Sequence, residues 1–404
     1  MRPRRRHWGV AWVVLTVAAV IVSVPALAMA RRHARIRNLP SEEGAEAASN
    51  TALNAPYATA CVMEPKTGQV IFEKEMHKPW PLASMTKMML MLIVAEKLHD
   101  GSLKLTDQVA TSALASKMGG SQVYLKEGET FALDDMMKAI VVHSANDASM
   151  AVAEYIAGSG EAFVQMMNRR AQELGMKDTH YYSPHGLPPA PGQQPDVSSA
   201  YDSALLAREL IKYPDVLRWS SIDTTGFRNN TFELRNTNHL VRTYRGCDGL
   251  KTGFYAQAGF NVAATAHRNG LRLIAVVMGS PRKGQNFASA ATLMSQGFME
   301  YYLDTVAKQG APIGREVAVS GGASSRFKPV WGADLAVFMK HGQEKKAVKI
   351  DFELPPKIPA PIKAGQNVGK GIVMVDGQPA GTAPVVAPAD IPQGGIISRL
   401  IGRL

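Results

Sequence analysis

The stretch from Pro79 to Leu98 constrains this chain more than any other. Residues 88 to 95 are apolar without a break, and no Gly or Pro interrupts the run from Leu82 to Leu98. It therefore reads as one helix surrounded by protein on all sides, entered through Pro79, Pro81 and Ser84. A lysine near the start of such a helix is out of place. Ser84 and Lys87 stand three apart, which sets both side chains on one face of the first turn. Burial and the positive end of the helix both disfavour a protonated amine, so Lys87 is placed to sit neutral and take the Ser84 proton. A serine cap beside a lysine whose stem packs while its head reaches water accounts for the same spacing. The pair gains meaning only if partners exist elsewhere in the chain.

The net charge of +11 suggests nucleic acid until the charges are located. Residues 1 to 37 hold eight arginines and no acid, and removing those eight leaves +3 for the rest. A nearly balanced body excludes a nucleic-acid partner. The arginines instead flank an export segment. Met1 to Arg6 is basic, Val10 to Val24 is almost wholly apolar, and Pro25 to Ala30 supplies small residues for a signal peptidase. Counted from Trp8 to Ala30, the same run is long enough to span a bilayer, so residues 1–30 are either a cleaved signal or a retained anchor. A twin-arginine signal fits less well, because Arg4-Arg5-Arg6 lacks the rest of that pattern. The two cysteines, Cys61 and Cys247, either pair in the oxidising compartment or remain thiols in strands.

Residues 31–55 read as a linker, and globular sequence begins near Tyr57. Strands are expected at Thr59 to Met63 and Gln69 to Phe72, joined by a turn at Pro65 to Gly68. From Leu103 to Gly175 the pattern is mostly helical, with helices at Leu133 to Val142, Asp147 to Ala157 and Ala162 to Leu174. Between the first two of these lies His143-Ser144-Ala145-Asn146, which is a helix cap or a second hydroxyl and amide at a reaction centre. His180 and His185 lack the carboxylate-and-histidine helix of a zinc site and read as structural. A helix is expected from Tyr201 to Tyr213. Strands follow at Phe260 to Ala266 and Leu271 to Met278, joined at Asn269-Gly270, and a covering helix runs from Asn286 to Tyr302. Lys251-Thr252-Gly253 then lies on a strand at or near a sheet edge. There Gly253 keeps the edge unobstructed, and Lys251 and Thr252 suit a carboxylate.

Each of these three motifs is weak alone. Together, Ser84-x-x-Lys87 opening a buried helix, Ser144-x-Asn146 between helices and Lys251-Thr252-Gly253 on a strand form a specific set. This set resembles that of the penicillin-binding protein and serine β-lactamase superfamily. The surrounding residues are similar to those of the low-molecular-mass D-alanyl-D-alanine carboxypeptidases: Leu82 to Met89, Ser144 to Ala148, Asp248 to Gly253 and Ala258 to Asn261. Leu174 to His180, His185 to Leu187 and Pro388 to Gly395 extend the likeness over nearly the whole chain after residue 55.

The resemblance implies an α+β transpeptidase-like catalytic domain over residues 56–303, an antiparallel sheet flanked by helices, and a small all-β domain over 304–392. It implies attack by Ser84, with Lys87 as proton acceptor and Ser144 relaying the proton to the leaving amine. The N–H groups of Ser84 and Phe254 would form the oxyanion hole, Lys251 and Thr252 would hold the terminal carboxylate, Asn146 would bind the peptide amide, and Gly253 would border the groove. The implied partners are peptidoglycan stem peptides and β-lactam antibiotics, in the periplasm or on the outer face of the cytoplasmic membrane, with no metal or cofactor. A DD-endopeptidase or a β-lactamase of the same superfamily is the alternative activity. The class A β-lactamase route is disfavoured, because no Glu-x-x-x-Asn follows Asn146 at a fitting distance.

Two departures from the family stand out. Phe254-Tyr255 replaces the His and Thr that commonly follow Lys-Thr-Gly, and residues 393–404 form a tail too short for firm membrane anchoring, so the N-terminal segment would supply the membrane contact. After Asp304 the pattern turns to strands, as in Val348, Ile350, Phe352 and Leu354 alternating with Lys349, Asp351 and Glu353. That region carries no chemical constellation and reads as a spacer.

Overall fold

The computed structural model describes residues 55–342, 348–375 and 377–395. The expected leader over 1–30, almost all of the linker and most of the short C-terminal tail lie outside the described residues.

A five-stranded antiparallel sheet organises the first part of the chain. Its strands are β1 (Thr59–Met63), β2 (Val70–Lys74), β3 (Cys247–Tyr255), β4 (Gly259–Arg268) and β5 (Leu271–Ser280), in the order β2-β1-β5-β4-β3. Period-two alternation divides each strand between two apolar layers. Cys61, Met63, Ile274, Val276 and Met278 face a cluster built from helices, while Ala60, Val62, Leu273, Ala275 and Val277 face the opposite side. Helix α1 (Lys87–His99) lies on the first side, with every residue from Lys87 to Ala95 buried. The helices α2 (Leu133–Val142), α3 (Asn146–Ala157), α4 (Gly160–Glu173), α5 (Ala200–Leu210) and α6 (Pro214–Ser220) follow along the chain. Helix α7 (Gln285–Glu300) covers the other face through Ala290, Leu293 and Met294.

The β4–β5 connection turns at Asn269 and Gly270, with φ of 49° and 83°, the paired positive angles that an Asn-Gly hairpin turn requires. Lys251, Thr252 and Gly253 occupy β3, which is an edge strand. Cys61 and Cys247 are buried free thiols in β1 and β3, and burial pushes their pKa values up to about 12 and about 11.

Three sequence expectations need correction. The stretch from Leu103 to Ala132 holds no α-helix, only a 3-10 turn at Ala115–Lys117. Gln108–Ala110 pairs with Thr130–Ala132, and the chain between them is drawn to side-chain acceptors. Asp147 accepts from the amides of Val123 and Leu125, both at 3.0 Å, and Glu129 pairs with Arg228. Local bonds to carboxylates displace the helical ladder there, and Gly120 and Gly128 adopt positive φ. The Ser84 helix is also not one element, because Ala83–Thr86 is a 3-10 turn that leads into α1. Finally, α7 stops at Glu300, where Tyr301 begins strand β6 (Tyr301–Ala307) and stacks on Phe338 at 4.8 Å.

Strand β6 pairs with β7 (Leu335–Lys340). A second sheet joins β8 (Val348–Glu353), β9 (Asn367–Val375) and β10 (Gln378–Val386), with Val330–Trp331 at the far edge. Trp331, Leu335, Val337, Val373 and Val385 form a separate apolar core against which Ile350, Phe352 and Leu354 pack, while Val348 is 37% exposed at the strand end. The architecture is thus an α+β body with an antiparallel sheet between helices, followed by an all-β region.

Candidate active site

The Ser84 turn is clamped between two glycine backbones. A Cβ on Gly253 would lie 2.3 Å from Leu82 O and 3.1 Å from Ser84 N, and one on Gly186 would lie 2.0 Å from Ala83 O. Gly253 is therefore required by the close approach of the Ser84 turn to β3, rather than by an open groove for a ligand. Ala83 is held at φ 49°, and Asn261 on β4 donates to the carbonyls of Pro81 (2.8 Å) and Leu82 (3.2 Å), which fixes the entry to the turn.

Lys87 is fully buried, and its Nζ is 3.0 Å from Ser84 Oγ, 2.7 Å from Asn146 Oδ1 and 2.5 Å from the His185 carbonyl oxygen. Burial first, and then the neighbouring Lys251, hold its ammonium well below the ordinary lysine value, while Asp196 and Asp147 pull the other way. A neutral amine has two N–H bonds and one lone pair. The two carbonyl oxygens accept the N–H bonds because neither can donate, so the lone pair faces the Ser84 hydroxyl. The chemistry this permits is proton abstraction from Ser84.

Ser144 sits between α2 and α3 with φ 65°, an uncommon angle for a residue with a side chain. Its Oγ accepts from Lys251 Nζ at 2.9 Å, which leaves the Ser144 O–H free to donate elsewhere. Lys251 also donates to Thr252 O at 3.2 Å, and burial lowers its pKa to about 7. Thr252 Oγ1 donates to Thr237 Oγ1 at 2.8 Å. Asn146 Oδ1 accepts from Lys87, and one Nδ2 hydrogen goes to Gly119 O at 2.8 Å, so the amide positions the lysine while its second Nδ2 hydrogen has no partner among the described residues. The Phe254 side chain is 57% exposed and stacks on Phe260 at 4.1 Å.

All eight sequence-selected residues, Ser84, Lys87, Ser144, Asn146, Lys251, Thr252, Gly253 and Phe254, thus meet at one place. Sequence reasoning missed the backbone of His185, the hydroxyl of Thr237 and the carboxylate of Asp196. Asp196 accepts from Tyr182 N (2.6 Å), Ser183 N (2.9 Å), Ser183 Oγ (2.6 Å) and Thr86 Oγ1 (3.1 Å), and so ties the His185 loop to the Ser84 turn. The signal for that loop in the sequence was the family likeness of His185 to Leu187. His180 packs against Tyr182 with the rings tilted by 52° and their centroids 4.5 Å apart. A cleft of about 340 Å³ is lined by Ser84, Ser144, Thr237, Thr252, Gly253 and Phe254 and extends to Phe287.

Residues 45–282 match the D-alanyl-D-alanine carboxypeptidase family, and residues 301–393 match the C-terminal domain of penicillin-binding protein 5. The chain is 35% identical to D-alanyl-D-alanine carboxypeptidase DacF of Bacillus subtilis, over 85% of this chain and 87% of that one. In three dimensions it is similar to a peptidoglycan synthesis regulatory factor (PBP3) from Streptococcus pneumoniae. The TM-score is 0.74 at 28% identity, covering 84% of this chain and all of the other. It is also similar to penicillin-binding protein D2 of Listeria monocytogenes in its ampicillin-bound form, with TM-score 0.56 at 29% identity, over 61% of this chain and 99% of that one. The chain belongs to the serine D-alanyl-D-alanine carboxypeptidase family of low-molecular-mass penicillin-binding proteins, with a transpeptidase-like body and a C-terminal all-β domain.

Proposed function

We propose that the chain removes the terminal D-alanine from peptidoglycan stem pentapeptides through an acyl-enzyme on Ser84, with neutral Lys87 as the base. The observation that carries this reading is the fully buried Lys87 amine, 3.0 Å from Ser84 Oγ with both N–H bonds occupied by carbonyl oxygens. Lys87 takes the hydroxyl proton as Ser84 Oγ attacks the carbonyl carbon of the penultimate residue. The N–H groups of Ser84 and Phe254 stabilise the oxyanion, since β3 as an edge strand turns alternate backbone groups away from β4. Ser144, oriented by Lys251, donates its proton to the leaving nitrogen as the C–N bond breaks and is reprotonated from Lys87. Water then attacks the ester and gives a proton to Lys87, and Lys87 passes it to Ser84 Oγ as the acyl C–O bond breaks, restoring the hydroxyl and the neutral amine.

Lys251 binds the terminal carboxylate together with the Thr252–Thr237 hydroxyl pair. With its pKa at about 7, it is partly neutral in the empty cleft, and an arriving carboxylate favours its charged form. The ester that stem peptides form on Ser84 forms equally with β-lactam antibiotics. In our reading the chain is exported and works at the outer face of the cytoplasmic membrane. Residues 56–303 are the catalytic domain and 304–392 a spacer, with the N-terminal segment as the membrane contact.

Replacing Ser84 by Ala abolishes D-alanine release and covalent labelling by fluorescent penicillin; labelling that persists overturns the assignment. Digestion of purified sacculi with mass analysis of the muropeptides separates the alternative activity. Tetrapeptides formed at the expense of pentapeptides support the carboxypeptidase, and loss of crosslinked dimers favours the endopeptidase.

A further inference from the structure

We propose that Asp196 and Ser183 are positioning residues for the reaction: the carboxylate and the hydroxyl form a chain of hydrogen bonds that aims the His185 carbonyl at Lys87. The inference rests on the reading of Lys87 as the base and names two side chains that serve it without touching substrate.

One peptide unit holds the key. The His185 carbonyl accepts from Lys87 Nζ at 2.5 Å, and the N–H of Gly186 belongs to the same planar unit. In a trans unit these two groups point in opposite directions, so whatever holds the N–H also sets the aim of the carbonyl. Ser183 Oγ holds it, accepting from Gly186 N at 2.8 Å and, at the longer distance of 3.4 Å, from His185 N. A hydroxyl that accepts in this way still has its own proton to give, and Ser183 gives it to Asp196 Oδ2 at 2.6 Å. Every donor in the series, from the Lys87 amine through Gly186 N to the Ser183 hydroxyl, thus points toward the carboxylate. Bonds aligned in one sense polarise one another, so the charge on Asp196 strengthens the His185 carbonyl as an acceptor for Lys87.

Asp196 is itself held from several directions. It is buried, its Oδ1 accepts from the amides of Tyr182 and Ser183, and its Oδ2 accepts from Thr86 Oγ1 as well as from Ser183. Its backbone carbonyl accepts from Leu82 N at 2.9 Å. One residue therefore grips the loop that carries His185 and both ends of the turn that carries Ser84. Burial raises the Asp196 pKa, while the Ser183, Tyr182 and Thr86 donors lower it again. All four bonds run toward the carboxyl oxygens, so the site satisfies the charged form.

The test measures the rate at which fluorescent penicillin labels the full chain across pH, with thermal denaturation in parallel. Ser183→Ala frees the Gly186 N–H and slows labelling about tenfold at neutral pH, and Ser183→Thr, which keeps the hydroxyl, recovers most of that loss. Asp196→Asn keeps an acceptor for the two amides but removes the charge. Lys87 faces Lys251, which favours the neutral amine, Asp196 and Asp147, which favour the ammonium, and His185, whose ring burial keeps uncharged with a pKa of about 3. Losing the Asp196 charge therefore moves the acid limb of the labelling profile to lower pH, while the plateau falls about three- to tenfold. A carboxylate that merely steadied the fold would lower the Tm and the whole profile without moving that limb. Labelling of Ser183→Ala at the wild-type rate overturns the proposal, as does a loss that threonine does not recover or an Asp196→Asn profile whose limb stays in place. Lys87→Met, run beside them, separates the two readings. If it labels as fast as the wild type, the base assignment fails and the hydrogen-bond chain with it; if it does not label while Ser183→Ala labels normally, the chain alone is refuted.

Discussion

Asn146→Asp tests whether Lys87 acts as a neutral base. The substitution is nearly isosteric, so Gly119 and the 2.7 Å contact to Lys87 Nζ are the groups it perturbs. It places a carboxylate oxygen where an amide oxygen now accepts an N–H bond. At 2.7 Å and an effective dielectric of about 20, the attraction between an ammonium and a carboxylate is about 6 kcal/mol. That attraction holds the proton on Lys87 and so lowers the neutral fraction at neutral pH. Asn146→Ala removes the aiming hydrogen bond without adding charge, so it slows acylation by a smaller factor, about ten- to a hundredfold. Measuring the rate of fluorescent-penicillin labelling against pH distinguishes them. The Asp variant labels more slowly than the Ala variant at neutral pH and recovers as pH rises, while the Ala variant keeps the shape of the wild-type profile. If the two variants label at similar rates with the same profile, Lys87 is not the neutral base and the proposed mechanism fails.

Gly253→Ala drives a methyl against Leu82 O and the Ser84 turn, and overpacking of this kind costs about 1–3 kcal/mol; thermal denaturation should show a lowered Tm and penicillin labelling should slow, and an unchanged Tm would falsify the clamp. For Lys251, the folded pKa of about 7 lies below the ordinary 10.5, so its burial destabilises the fold fully below about pH 7 and not at all above the unfolded value. Between these limits the denaturant stability of the wild type should rise with pH relative to Lys251→Met, by a few kcal/mol in all, and a flat difference would show that the amine is not desolvated. A chain ending near Tyr302 should keep penicillin labelling and D-alanine release from a soluble peptide. Its stability should fall, however, because Phe338 of the all-β region belongs to the apolar cluster under α7. A truncated chain that is folded by circular dichroism yet does not label would give the β-domain a part in catalysis.

Local patterning carried much of this protein. The unbroken apolar run after Lys87 specified a helix buried on every side, because no face of such a helix tolerates water. Asn269-Gly270 specified a hairpin, since few other residue pairs take two positive φ angles, and that hairpin set Lys251 on the neighbouring edge strand. The order of the three motifs named the chemistry, each being tied to one kind of element. What lay beyond the sequence were contacts between segments far apart in the chain. The reason Gly253 must be glycine is the backbone of Leu82 and Ser84, and no pattern around residue 253 contains that information. That Asn146 also positions the lysine shows only in the bonds of its amide to Lys87 and Gly119. The aim of the Lys87 lone pair depends on the carbonyl of His185, a backbone group that every residue has and that only folding brings to one place. Sequence periodicity reports which faces are buried, whereas the protonation state of a buried amine depends on which acceptors surround it, and the tertiary structure alone decides that.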